Sequence, residues 1–370
     1  MASSNDQCTS LPPSTIPNND AVAILGVWEA PWRDRQRFLQ SRGYMLRPRY
    51  HPDWVPSWRT NNQSIIWCED ALSAPLRENL IDARRMSDDM LVYIKRVKAG
   101  DNESRITTML SSERLRQDPR NHSVPVLDLF QDDEDPGISY MVMPFLRLID
   151  SPQLDLVEEV VEFIDQTLEG LVFMHEQGVA HRDCTYKNLM MDAAAMYPRG
   201  FHPINESFLP NAKTMARPRP RTSVPVRYYY IDYGLSVAVG SDGRDQEVPE
   251  LSGDVPYDPF KVDIFIVGNL FRRMFHDRLS NVDFLVALFE PMVKSDPLAR
   301  PDAVAAHQRW LAIRAMVSPF TRRWRLRPRR EPWQETVMYE TYASISTAYF
   351  FRGYLVATCI LVVVIYHGIV

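Results

Sequence analysis

No two of the four cysteines in this 370-residue chain form a Cys-x-x-Cys pair. Cys8, Cys68, Cys184 and Cys359 are scattered, which argues against a disulfide framework and a zinc site and suits a reducing compartment. An excess of positive charge is missing too. The 42 Lys and Arg face 47 Asp and Glu, a net charge of −5, so nucleic acid is not an expected partner. The N-terminus has no basic flank followed by an apolar core, and no signal peptide is expected there. There is no internal repeat. Glycine is sparse at 14 residues, and none lies between Leu46 and Asp82. That stretch therefore cannot form a loop that relies on glycine's conformational freedom.

The length allows one large or two modest domains with ample core. Residues 1–20, rich in Ser, Pro, Asn and Asp, are expected to be disordered. Residues 21–85 carry Trp28, Trp32, Trp54, Trp58 and many prolines without periodicity, and read as irregular packing structure leading into short strands. Met90 to Val97 has the apolar, β-branched character of a strand around Lys95. Helical spacing follows from Glu103 to Arg116, then two strands at Val124 to Phe130 and Ile138 to Pro144. From Leu154 a long amphipathic helix runs to a natural stop at Gly178. Asp263 to Phe275 is apolar nearly all round, a buried helix, and Asn281 to Val293 and Asp302 to Met316 are further helices. A strand-rich part thus precedes a helical part.

Just past their junction lies His181-Arg182-Asp183-Cys184-Thr185-Tyr186-Lys187-Asn188. Asp-x4-Asn spacing in a short loop sets a carboxylate and a carboxamide across one small volume. The carboxylate can hold a hydroxyl proton while the amide oxygen helps hold a divalent cation. Asn188 to Met191 and Tyr228 to Asp232 read as a pair of short strands. Between them, about residues 192–227, is an irregular insertion with the tract Arg217-Pro218-Arg219-Pro220-Arg221, which reads as a solvated loop or a docking segment for partners or acidic lipid headgroups.

Lys95, Glu103, His181-Arg182-Asp183, Asn188, Asp232-Tyr233-Gly234, Val248-Pro249-Glu250, Asp263 and Arg300 follow in an order that resembles the eukaryotic protein-kinase superfamily over roughly residues 85–314. Within it the chain looks most like the kinase-domain proteins of mushroom-forming fungi. The resemblance implies an α+β, two-lobed fold: a small antiparallel β lobe with one helix, here 21–146 with its extension, and a larger helical lobe, 147–316. It implies ATP and Mg²⁺ as cofactors and a protein as substrate. Asp183 would accept the substrate hydroxyl proton, Asn188 and Asp232 would hold magnesium, and Lys187 would reach the transferring phosphate. Lys95 would pair with the α and β phosphates and Glu103 would steady it, with Glu113 as a rival. Met143 to Leu146 would be the hinge, with Pro144 and Leu146 offering backbone groups to adenine. His181, Tyr233 and Gly234 would be structural, Asp263 would brace the catalytic loop, and Glu250 and Arg300 would form a buried ion pair. Arg182 is of the type that pairs with a phosphorylated activation loop, where only Ser236 and Ser241 offer hydroxyls.

Three departures stand against the pattern. The glycine-free stretch occupies the place of the Gly-rich loop, Tyr93 replaces the small residue that roofs adenine, and the 192–227 insertion replaces a short hairpin. The expectation is a protein Ser/Thr kinase. The alternatives are a pseudokinase acting as a binding module and a small-molecule phosphotransferase of related fold.

Gly353 to Val370 is uncharged for 18 residues and as a helix would span about 27 Å, close to the ~30 Å hydrocarbon core. Six arginines between Arg322 and Arg330 and the aromatics Tyr349, Phe350, Phe351 and Tyr354 flank it. This predicts a basic linker over 317–352 and a transmembrane tail anchor at 353–370, with the bulk of the chain in the cytosol.

Overall fold

The computed structural model describes residues 22–74, 78–236, 257–332 and 334. Period-2 alternation sorts the first layer. Along β3 (Met90–Lys98), Val92 and Ile94 face one core, whereas Tyr93, Lys95 and Val97 face the other side. On β5 (Ile138–Pro144), Tyr140 and Val142 join the first set and Met141 and Met143 the second. With β1 (Tyr44–Met45), β2 (Leu80–Arg85) and β4 (Asp128–Gln131) these strands form a five-stranded antiparallel sheet in the order β1-β2-β3-β5-β4.

The N-terminal segment covers the outer face of this sheet. It contributes α1 (Ala30–Asp34), α2 (Gln36–Ser41) and several single 3₁₀ turns, with Trp32, Leu39, Tyr44 and Tyr50 buried against Ile81, Val92 and Ile94. Arg49, 2% exposed, is held bidentately by Glu29 at 2.8 and 3.0 Å, and Arg47 meets Asp82 at 2.8 Å. Burial of such cations is tolerated because each is paired and hydrogen-bonded. The expectation of irregular packing structure here is met, with two short helices added.

The inner face receives α3 (Asn102–Leu110), capped by Asp101, whose carboxylate accepts from the Ser104 N–H at 2.8 Å. The single helix expected from Glu103 to Arg116 is in fact two. It breaks at Ser111 and Ser112, and α4 (Glu113–Arg116) follows. The strand expected from Val124 starts only at Asp128. Val124 instead donates its N–H to Tyr230 O, so it serves the helical lobe.

The second lobe is built on α5 (Val157–Glu176), buried along most of its length, and on α6 (Pro259–Phe271), α7 (Val286–Met292) and α8 (Ala303–Met316). A small sheet of β6 (Arg147–Leu148), β7 (Leu189–Asp192) and β8 (Arg227–Tyr230) lies at its junction with the first lobe. The two-lobed α+β arrangement is the one the kinase resemblance implies.

Two segments differ from expectation. The 192–227 insertion is a folded element. Met196, Tyr197, Phe201, Leu209 and Ala216 enter the main core, and the Phe208–Met215 bridge closes a turn within it. Of the Arg/Pro tract only Arg221 is buried, and it donates to Tyr228 Oη at 3.0 Å and Pro152 O at 2.8 Å. The segment expected as a basic linker begins as part of the lobe. After α9 (Pro319–Arg322), Leu326 N bonds Asp155 O at 2.8 Å and Arg329 N bonds Arg278 O at 2.8 Å. Arg322 pairs with Glu158 and Arg325 with Glu331, so part of the arginine run neutralises local carboxylates. The expected tail anchor at 353–370 lies outside the described residues. Among the described residues no helix is long and apolar enough to cross a membrane.

Candidate active site

Between the lobes lies a cleft of about 490 Å³, lined by Tyr93, Lys95, Glu103, Met143, Pro144, Leu146, Lys187, Asn188 and Asp232. Nine of the residues singled out from the sequence or from its departures thus meet at one surface. Sequence reasoning missed Glu78, Asn79, Leu80, Val124, Met190 and Ile231, which complete the lining. These are mostly apolar positions without a chemical signature of their own. Their role comes from the lobes' meeting.

On the β-lobe wall, the pleat aims Lys95 at the cleft. Its Nζ meets Glu103 Oε1 at 2.5 Å and Asp232 Oδ1 at 2.9 Å. The rivalry with Glu113 is settled, since Glu113 opens the separate helix α4 and Glu103 is the acidic partner. Burial works against the Lys95 cation, but the two carboxylates outweigh it and hold its pKa above the ordinary value. Burial likewise raises the Asp232 carboxyl, and there Lys95 prevails and holds it below the usual carboxylate range. Both groups therefore carry full charge at neutral pH. Asn102 Nδ2 donates to Ser236 O at 2.7 Å, which fastens α3 to the turn after Asp232.

On the helical-lobe wall, the loop from His181 to Asn188 is fixed from below. The Asp263 carboxylate, wholly buried on α6, accepts the N–H of His181 at 2.8 Å and of Arg182 at 2.5 Å, and lies 3.0 Å from His175 Nε2. Arg182 has φ +67°, a conformation that costs a non-glycine residue about 1–3 kcal/mol and persists only where its surroundings impose it. The adjacent hydrogen bonds from the His181 and Arg182 N–H groups to Asp263 are such an imposition. Asp232 shares the left-handed region at φ +63°.

Asp183 and Asn188 form the pair expected from their spacing. Asn188 Nδ2 donates to Asp183 Oδ2 at 2.7 Å and to its main-chain O at 3.0 Å. Burial pushes the Asp183 carboxyl up, and Asp232 adds to this, while His181 and the Asn188 amide act against it. His181 is a packing residue. It is wholly buried, its Nε2 is 2.9 Å from Ile231 O, and its ring lies 4.9 Å from Tyr233. Burial lowers its pKa, and both ring nitrogens are engaged, Nε2 with Ile231 O and Nδ1 with the Asp183 N–H at 3.3 Å, which holds the ring away from base chemistry.

Gly234 follows Tyr233 with room for a side chain, since a Cβ there would meet Asp232 Oδ1 at 3.4 Å and Glu103 Oε2 at 3.6 Å. Arg300 is 2% exposed and donates to Lys294 O at 2.7 Å, Lys261 O at 3.1 Å and Ser295 O at 3.2 Å. Its expected partner Glu250 lies outside the described residues, as does Ser241. Ser236, the other hydroxyl considered for phosphorylation, is 1% exposed and donates to His181 O at 3.1 Å, so it is a packing group.

Both departures at the roof of the cleft take a definite form. The Tyr93 ring stacks on Phe145 at 4.3 Å and 19°, along the cleft wall. In place of a glycine loop, β1 pairs with Arg84 and Arg85 at the far end of β2, residues 46–74 pack as irregular turns, and Glu78 and Asn79 line the cleft.

The donor set fits magnesium. Asn188 spends its amide N–H group on Asp183, which leaves its side-chain oxygen, and the Asp232 carboxylate is half exposed. One carboxylate and one amide oxygen, completed by substrate phosphates and water, is the hard-oxygen set that Mg²⁺ takes in phosphoryl-transfer sites. Among the described residues no three His, Cys, Asp or Glu side chains gather into a separate metal cluster.

No protein-family model matches the chain, and none of the curated proteins matches it. Among solved structures, the Rad53 kinase domain and SCD2 in complex with AMPPNP matches at 15% identity, a TM-score of 0.40, 65% of this chain and 89% of that one. The Rad53 kinase domain and SCD2 alone matches at 16% identity, a TM-score of 0.42, 68% of this chain and 90% of that one. Similarity of that degree says nothing of activity.

Proposed function

We propose that this protein is a kinase that transfers the γ-phosphate of ATP to a Ser or Thr hydroxyl of a protein. The observation that carries this reading is the pairing at one cleft: Lys95 with Glu103 and Asp232 on one side and Asn188 on the other, with Asp183 just behind the lining and bonded to the Asn188 amide. In it, Met143, Pro144 and Leu146 flank the base, and the Lys95 cation draws the α and β phosphates. Magnesium, bound by Asn188 and Asp232, would neutralise charge on the phosphates. Asp183 orients the incoming hydroxyl and takes its proton as the new phosphorus–oxygen bond forms and the bond to the β-phosphate oxygen breaks, releasing ADP. Lys187, exposed at the cleft edge, offers a cation to the transferred group.

Transfer of labelled phosphate to a protein mixture tests this. Asp183→Asn keeps the bond partner of Asn188 and removes the base, so incorporation should fall by at least about a hundredfold. Unchanged incorporation in that variant would overturn the assignment. The glycine-free roof favours a second reading, a binding module of the same fold without useful catalysis. It predicts no ATP-dependent labelling by the wild-type chain either. Anchoring by residues 353–370 is a separate proposal resting on sequence alone. Release of the chain from membranes by alkaline carbonate would contradict it.

A further inference from the structure

Four aromatic rings run from the 192–227 insertion to the nucleotide cleft. Tyr197 meets Phe201 at 5.2 Å and 66°, Phe201 meets Phe145 at 5.5 Å and 62°, and Phe145 stacks on Tyr93. Of the four, only Tyr93 lines the cleft. The base of this row is fixed. Arg147, 3% exposed, lies over the Tyr197 and Phe201 rings at 4.5 and 4.7 Å, and its Nε is 2.9 Å from Glu206 Oε2. Next to Phe201, His202 Nε2 is 3.1 Å from Glu69 Oε1, and Ile204 packs against the core of the β lobe.

The backbone of Tyr93 has no freedom to adjust, because β3 pairs on both sides, with Asp82 opposite on β2 and Met143 opposite on β5. Only the side-chain rotamer can change, and rotation about χ1 moves a ring from one staggered well to another. A ring leaving Phe145 would turn into the space where a purine must sit. The Phe145 face holds the Tyr93 ring in the open rotamer, and Phe201 buttresses that face from behind.

We propose that Phe201 is a positioning residue for the nucleotide. Through Phe145 it keeps the Tyr93 ring along the wall, so that the base has room beneath a β lobe without a glycine flap. This rests on the reading of the cleft as an ATP site and deepens it. The insertion then has a role in binding, which is to preset the adenine end of the site from the helical lobe.

The test is a double-mutant cycle in the full chain: wild type, Phe201→Leu, Tyr93→Ala and the double variant, with the ATP dissociation constant, kcat and melting temperature measured for each. Leucine preserves most of the buried bulk, so the fold is retained. Loss of one aromatic contact corresponds to about threefold to tenfold in an equilibrium constant. Phe201→Leu should weaken ATP binding by about that factor in the wild-type background with little change in kcat. In the Tyr93→Ala background it should change ATP binding hardly at all, because there is no ring to hold, although the melting temperature falls equally in both. Equal weakening in both backgrounds, or a lower melting temperature with unchanged affinity, would overturn the inference while leaving the ATP site standing. Absence of ATP binding in all four proteins would overturn the ATP reading and the inference with it.

Discussion

At the scale of residues, the site is organised by three carboxylates in different electrostatic settings. Asp232 is pulled down by Lys95, Asp183 is pushed up by burial, and Asp263 is spent on two backbone N–H groups. In the proposed reaction these settings suit them to serve as a charged ligand, a proton acceptor and a brace, respectively. The brace yields the sharpest residue-level prediction. Asp263→Ala strands two buried donors at about 1–3 kcal/mol each, so stability should fall by roughly 2–6 kcal/mol. Chemical denaturation measures this, and a loss under about 1 kcal/mol would show that the loop is held by other means. These residues were legible in the sequence because chemistry demands their identity as well as their spacing. Glu103 needed the structure to be separated from Glu113, since one-dimensional distance does not say where a helix breaks.

At the scale of elements, the helical lobe is tied together where α5 meets α8. Trp310 Nε1 donates to Asp165 Oδ1 at 2.5 Å, and Arg314 lies 3.1 Å from Asp165 Oδ2. Burial raises the Asp165 pKa from 3.8 to about 6, with the Trp310 bond and Arg314 only partly opposing it. The fold thus prefers the protonated acid. Its stabilising contribution is complete below the unfolded value of 3.8 and is lost as pH rises through about 6. Asp165→Asn keeps an acceptor for Trp310 and cannot ionise. Relative to wild type it should gain up to about 3 kcal/mol between pH 4 and pH 7, read from denaturation at the two values. A difference that does not change with pH would contradict the assignment. Helices and strands with strong periodicity, such as α5 and β3, were legible. The split of α3 from α4 and the late start of β4 were not. Both depend on tertiary partners, such as Ser111 on Val126 and Val124 on Tyr230, that no local pattern announces.

At the scale of the whole molecule, two segments that looked peripheral in the sequence close the structure. The N-terminal extension covers the outer face of the sheet, and the insertion reaches back to it. His202 is 133 residues from Glu69, to which its Nε2 bonds, while its Nδ1 accepts the N–H of Ile204 and Asn205, each at 3.1 Å. The two acceptor bonds place the proton on Nε2, which therefore donates to Glu69. His202→Ala removes all three bonds from a residue 1% exposed. It should cost roughly 2–4 kcal/mol and raise amide hydrogen exchange in both the extension and the insertion. Exchange confined to the insertion would show that the two lobes are not braced through this contact. Such long-range pairing is why the insertion could be seen in the sequence as a departure but not as a folded part.

Catalysis of the proposed kind requires that nucleotide reach the catalytic loop past Tyr93. Calorimetric titration of the wild-type chain with ATP, with and without magnesium, addresses that directly. We predict saturable binding of one ATP per chain that weakens by at least about tenfold without magnesium. No heat of binding under either condition would contradict the kinase reading.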